Sequence, residues 1–297
     1  MFEFIPALKA IGLLCPKGFF RLLSAMLRHG VNLMVLLSYA AQTHGRQTTL
    51  VDEQETLDYD TLLRQVQTLS FILKERYHLE KGQKVAFLCK NHTSLVKALF
   101  AVSRLGASIY LLNAEMSPVQ FQLLSDHYCF DFLVYDDELH SMVEQSDYVK
   151  DKIPAYHDTL PAVNTLCVIP TQRKEKLKRT SLGNLVILTG GTTGNFKTAV
   201  HKPSAVNYLN PCIAMLTRLK LFDCRTAYIA VPIYHGYGLA TLFLFILLGK
   251  KILIQRSFHA ENACKLIHEH HADTTVVVPL MVYKMIRYNT EYLKSLT

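Results

Sequence analysis

The sequence predicts an α/β protein built from parallel sheets with helices on both faces. Three observations carry that prediction. Several short runs, such as "KVAFLCKN" (84–91), "NLVILT" (184–189) and "TTVVVP" (274–279), are apolar without alternation. Helix-like segments separate them, and an unbroken apolar run between helices is a strand buried on both sides in a covered parallel sheet. The chain, at 297 residues, is also long enough to bury a sizeable core in one large domain or two modest ones.

The elements follow in order. Residues 17–34 repeat Phe19, Leu22, Leu23, Met26 and Leu27 at helical spacing, with Lys17, Arg21 and Arg28 alongside. Packing of this basic amphipathic helix on the parent domain is the expectation, and contact with an anionic membrane is the alternative. "TTLVDEQETLDYDTLLRQVQTLSFILKERY" (48–77) predicts two short strands and a helix. Asp58 is placed to cap that helix, and Leu62, Val66, Leu69 and Leu73 form its inner face. "TSLVKALFAVSRLGA" predicts a helix ending near Gly106, and "SIYLLNA" a strand. "SPVQFQLLSDHY" then predicts a helix with Ser117 as cap and Pro118 in its first turn. "DFLVYDD" is a further strand. Residues 138–182, with Pro154, Pro161 and Pro170, predict an irregular connection between two sub-units. The second half repeats the alternation: a glycine loop, a helix near Ser204 to Leu219, "TAYIAVP", a second helix, "KKILIQ", a third helix and "TTVVVP".

Lys plus Arg number 32 against 24 for Asp plus Glu, a formal charge of +8, which admits a nucleic acid, a membrane surface or an anionic small molecule as partner. The basic run "RKEKLKR" (173–179) has no aromatic residue interleaved for stacking on bases and predicts a solvated loop. No nucleic-acid partner is expected. The seven cysteines include no C-x-x-C pair, so a reducing, cytoplasmic setting is expected. Glu3 and Lys9 argue against a secretory leader, and no run reaches the ~18 apolar residues of a spanning helix. "HEHH" (268–271) lacks the H-E-x-x-H spacing and predicts a solvated turn. Asp136 to Glu138 predict a strand end.

"NLVILTGGTTGNFKTAV" (184–200) holds the chemistry. Gly190, Gly191 and Gly194 free the backbone to turn N–H groups inward. Thr189, Thr192 and Thr193 add hydroxyls, and Lys197 adds a mobile cation. This donor set suits polyphosphate. It is not a P-loop, because Asn195 and Phe196 separate the last glycine from the lysine.

The stretch resembles the phosphate loop of the AMP-forming adenylating enzymes, the acyl-CoA synthetase superfamily, which reads roughly T-S-G-T-T-G-x-P-K-G. "LVDEQETLDYDTLLRQV" (50–66) and the stretch from Leu79 to His127 resemble that family's opening segments. "VPIYHGYGL" (231–239) is similar to its P-[LM]-F-H-x-x-G motif, and "TTVVVPLMV" to a later strand. Three positions in the loop depart from the pattern: Gly190 for serine, Phe196 for proline and Thr198 for glycine.

The resemblance implies an incomplete N-terminal domain of the acyl-CoA synthetase-like fold. Residues 46–297 would form a partial AMP-binding domain, and residues 1–45 an amphipathic leader and first helix. It implies activation of a carboxylic acid, fatty or aromatic, by ATP with Mg2+, and transfer of the acyl group to a thiol such as coenzyme A. Thr189, Gly190, Gly191, Thr192, Thr193, Gly194 and Lys197 would hold the ATP phosphates. Tyr234, His235 and Gly236 would meet the acid, and Lys197 and His235 would serve catalysis. The family's adenine, ribose and C-terminal lysine segments have no counterpart among these residues. The chain is therefore expected to be inactive without a complementing C-terminal half. A non-catalytic remnant that binds nucleotide or acyl chain, or a membrane-peripheral interaction protein, is the alternative.

Overall fold

Apolar runs of four or five residues order themselves here by stacking edge to edge. The computed structural model describes residues 8, 9, 11–170, 177–189, 197–201 and 218–296, with the backbone alone for Thr189 and residues 197–201. In chain order the strands are β1 (Thr48–Val51), β2 (Thr56–Asp58), β3 (Lys84–Leu88), β4 (Ser108–Leu111), β5 (Phe132–Tyr135), β6 (Asp151–Pro154), β7 (Leu185–Thr189), β8 (Lys197–His201), β9 (Thr226–Ile229), β10 (Lys251–Ile254) and β11 (Thr274–Val276). The helices are α1 (Pro16–His29), α2 (Leu33–His44), α3 (Tyr59–Tyr77), α4 (Thr93–Leu105), α5 (Pro118–Tyr128), α6 (His140–Glu144), α7 (Val163–Leu166), α8 (Gly236–Leu247), α9 (Ala260–Glu269) and α10 (Pro279–Tyr288).

Two compact units result. One gathers Met1–Ala25, Leu36–Asp60 and Pro203–Thr297; the other Met26–Val35 and Thr61–Lys202. The first holds a five-stranded sheet in the order β11-β9-β10-β1-β2, parallel except for the β1–β2 pair. The second holds six strands in the order β6-β5-β3-β4-β7-β8, parallel except for β7–β8. Burial explains the parallel pairing: Val85 to Leu88, all of β4 and all of β5 are buried, as a sheet covered on both faces requires.

Local chemistry sets the helix ends. Leu62, Val66, Leu69 and Leu73 line the buried face of α3, which starts directly after Asp58. Ser117 caps α5 through a capping box: its hydroxyl accepts from Gln120 N at 3.3 Å, and the Gln120 side chain accepts from Ser117 N at 3.0 Å. Helix α4 ends at Gly106, which is left-handed at φ 78°.

Two departures from expectation lie outside the glycine stretch. The helical pattern over 17–34 divides: α1 stops at His29, Gly30 turns left-handed at φ 87°, and α2 begins at Leu33. A side chain at Gly30 would meet the Thr180 carbonyl oxygen at 2.2 Å, so backbone approach and positive φ both demand glycine there. Asn32 then accepts from Met34 N at 3.0 Å and opens the second helix. The second departure lies in the stretch 138–182, which contributes edge strand β6 and the short helices α6 and α7. Pro154 fits the last position of β6 because an edge strand leaves one row of N–H groups unused.

Candidate active site

Strand β7 runs parallel to β4, with Ile109 opposite Leu185, and carries its buried Val186, Ile187 and Leu188 out to Thr189. The chain then returns along β8 in antiparallel register, from Thr189 opposite Lys197 to Leu185 opposite His201. Ladder pairing thus sets Thr189, at the carboxyl end of β7, beside Lys197, the first residue of β8. Gly190, Gly191, Thr192, Thr193 and Gly194 lie outside the described residues, as do the side chains of Thr189 and Lys197. The helix expected near Ser204 to Leu219 lies largely outside them as well. Sequence reading missed β8. Its signal, "KTAVH" with Thr198 and Val200 β-branched, is five residues long and was masked by the glycines before it.

In the other unit, β9 leads through Pro232 into the start of α8. His235 N donates to Pro232 O at 3.1 Å, and Leu239 N donates to His235 O at 3.0 Å as the helix begins. His235 occupies the N-cap position in extended conformation (φ −100°, ψ 146°), and its side chain makes no capping bond. Its exposed ring meets the buried Tyr234 ring edge-on at 4.7 Å. Gly236 is exposed as the first residue of the helix. A side chain at Gly238 would lie 2.3 Å from the Pro232 carbonyl oxygen, so this position requires glycine. Tyr237, Thr241 and Phe245, spaced four apart on α8, line a half-open pocket of about 230 Å3 together with Asp273 and Thr274; Tyr234, His235 and Gly236 do not line it.

Among the described residues, one group has the chemistry of a metal site: Cys89, His92 and Asp136, all buried, with ligand atoms within 4.8 Å of one another. Hydrogen bonding argues for a structural role. His92 caps α4, and its Nδ1 accepts from Leu95 N at 3.0 Å. That bond leaves the ring proton on Nε2, which donates to Asp136 Oδ1 at 2.7 Å. A metal at Nε2 would require both nitrogens to act as lone-pair donors at once. The second Asp136 oxygen accepts from Lys90 N at 2.9 Å. Sequence reading took Asp136 for a strand end and did not pair it with a histidine 44 residues earlier.

The other histidines and the basic run fit bland roles. His268 stacks on Tyr292 at 4.8 Å, and His270 lies 2.9 Å from Lys251 Nζ, with burial foremost and that ammonium next lowering its pKa. Of the run Arg173 to Arg179, residues 173–176 lie outside the described residues. The Leu177 and Lys178 carbonyls accept from the Arg104 guanidinium at 2.8 and 2.7 Å.

Helix-covered parallel sheets, the antiparallel pair β7–β8 on either side of the glycine–threonine stretch and a proline–histidine helix start define an α/β class of protein. The sequence profile of the AMP-binding enzyme family matches residues 37–297, and the chain belongs to that family. The 2-succinylbenzoate–CoA ligase of Bacillus pumilus is 23% identical over 254 residues, covering 84% of this chain and 49% of the relative. That of Bacillus cereus is 27% identical over 218 residues, covering 70% of this chain and 39% of the relative. The chain thus spans about half the length of the curated relatives it matches. Among solved structures, the o-succinylbenzoate CoA synthetase of Bacillus subtilis with its product analogue superimposes with a TM-score of 0.72 at 20% identity, covering 88% of this chain and 52% of that one. The N-terminal domain of FACL13 from Mycobacterium tuberculosis gives 0.75 at 18% identity, covering 89% and 66%. These likenesses show the fold. No described helix is long and apolar enough to cross a membrane.

Proposed function

We propose that this chain holds the β- and γ-phosphates of ATP at its Thr189–Lys197 hairpin and a carboxylic acid at the start of α8. It would do so as part of an enzyme that makes an acyl-adenylate and passes the acyl group to coenzyme A. The register that sets Lys197 opposite Thr189 carries this reading. At and between these paired residues the sequence supplies glycines, threonine hydroxyls and a lysine with no carboxylate from 184 to 200, and β7, which leads into them, pairs in parallel with β4. Ligands of open α/β sheets bind at the carboxyl end of the strands, and a donor-rich stretch suits a polyanion.

In such a reaction a carboxylate oxygen attacks the α-phosphorus. An acyl–phosphate bond forms as the bond to pyrophosphate breaks, and a thiol sulfur then displaces AMP from the acyl carbon. Lys197 and the turn from Thr189 to Gly194 would offset charge on the departing pyrophosphate. Magnesium would supply further neutralisation of phosphate charge; the Bacillus subtilis synthetase has been solved with ATP and magnesium. Tyr234, His235 and Gly236 would orient the acid, helped by the N–H groups at the start of α8. The acid is proposed to be fatty or aromatic in class, because α8, directly after His235, is apolar.

In this reading residues 46–297 carry the adenylation chemistry, and a complementing polypeptide supplies the adenine and ribose contacts. The 297 residues alone would bind nucleotide without turnover. Titration with a fluorescent ATP analogue tests the phosphate clasp: Lys197→Ala should weaken binding by about tenfold or more. Unchanged affinity in the variant would sink the assignment. Acid-dependent ATP–pyrophosphate exchange should be absent in the chain alone and appear with the complementing half.

A further inference from the structure

Helix α1 is amphipathic with its large apolar residues turned outward. At ~100° per residue, Phe19, Phe20, Leu23, Met26 and Leu27 share one arc of roughly 120°. They are exposed by 58, 64, 40, 38 and 54%. The buried positions of the helix are instead Gly18, Ala25 and His29, on the opposite side. A helix that packs through glycine and alanine and leaves two phenylalanines in solvent reverses the usual order. The apolar surface continues at both ends through Leu14 and Val31, exposed by 53 and 65%.

Charge narrows the partner. The sequence of α1, "PKGFFRLLSAMLRH", contains Lys17, Arg21 and Arg28 and no acidic residue. Arg21 reaches Thr43 Oγ1 at 3.3 Å, while Lys17 and Arg28 are exposed. Around the helix, these cations border the apolar arc. We propose that α1 is a membrane-docking element that lies in the plane of an anionic bilayer. The phenylalanines and leucines would enter the acyl boundary, and Lys17 and Arg28 would face lipid phosphates. That arrangement matches the layering of a lipid interface, apolar below and anionic at its rim. The inference goes beyond acid activation and does not rest on it.

The test is co-sedimentation of the full 297-residue chain with phosphatidylcholine vesicles, with and without phosphatidylglycerol, in the absence of ATP and acid. Binding should be at least about tenfold tighter to the anionic vesicles and should fade with salt. F19S/F20S/L23S should lower that binding by about tenfold or more, and K17E/R28E should abolish the anionic preference. The chain has no tryptophan, so F20W supplies a single reporter whose emission should shift to the blue on anionic vesicles. F20W keeps the idea testable if the triple variant does not fold. Equal partition to both vesicle types with unshifted F20W emission overturns the proposal. So does a dimer lost in F19S/F20S/L23S without any vesicle binding, which would assign the face to a second copy.

Discussion

The fold constrains the ionisation of His29. It is buried, both ring nitrogens lack a hydrogen-bond partner, and Arg104 and Arg28 stand near. Burial first, then those guanidinium charges, lower its pKa from 6.5 to about 4. The unfolded chain takes up a proton near pH 6.5, while the folded chain keeps the ring neutral down to about pH 4. Stability from this group is therefore complete above pH 6.5 and falls as pH drops toward 4, by on the order of 2 kcal/mol after allowance for screening. Thermal melts followed by circular dichroism should show that decline, and His29→Leu should flatten it. An unchanged slope in the variant would assign the acid sensitivity elsewhere. At this scale the motif residues were legible, because Tyr234, His235 and Gly236 are consecutive. The His92–Asp136 pair was not, since nothing local links positions 44 apart.

Elements were legible wherever the signal is local. The Ser117–Gln120 capping box, the inner face of α3 and the end of α4 are written in neighbouring residues. Strand β8 and the break at Gly30 were missed. A five-residue strand exists only through its partner β7, and Gly30 is required by the approach of Thr180, 150 residues away. The start of α8 gives a prediction at this scale. Gly238→Ala would drive a methyl carbon against the Pro232 carbonyl, a backbone atom that cannot swing aside. The variant should lose about 1–3 kcal/mol in denaturant unfolding, from strain between β9 and α8. It should also weaken acid affinity more than ATP affinity in binding titrations. Equal loss of both would place the defect outside the acid site.

For the molecule as a whole, the parallel sheets and the AMP-binding family follow from the sequence, while strand order and the partition into two units do not. The chain spans about half the length of the relatives it matches. On α10, Leu280, Tyr283 and Ile286 are exposed by 60, 54 and 52%, whereas Met285 is buried. The complementing half proposed above would dock on this apolar face. L280S/Y283S/I286S should keep the circular dichroism spectrum of the chain and abolish capture of a polypeptide corresponding to that half. Capture at full strength would show that α10 is not the contact.

By itself the sequence determined the α/β class, the proline–histidine helix start and the basic amphipathic pattern of α1. Each depends on residues a few positions apart, where spacing dictates geometry. Only the tertiary structure decided that β8 returns beside β7 with Lys197 opposite Thr189, that Asp136 holds His92, and that the phenylalanines of α1 face outward. Those outcomes depend on which surfaces meet. A periodic pattern says that a helix has an apolar side but not what that side touches.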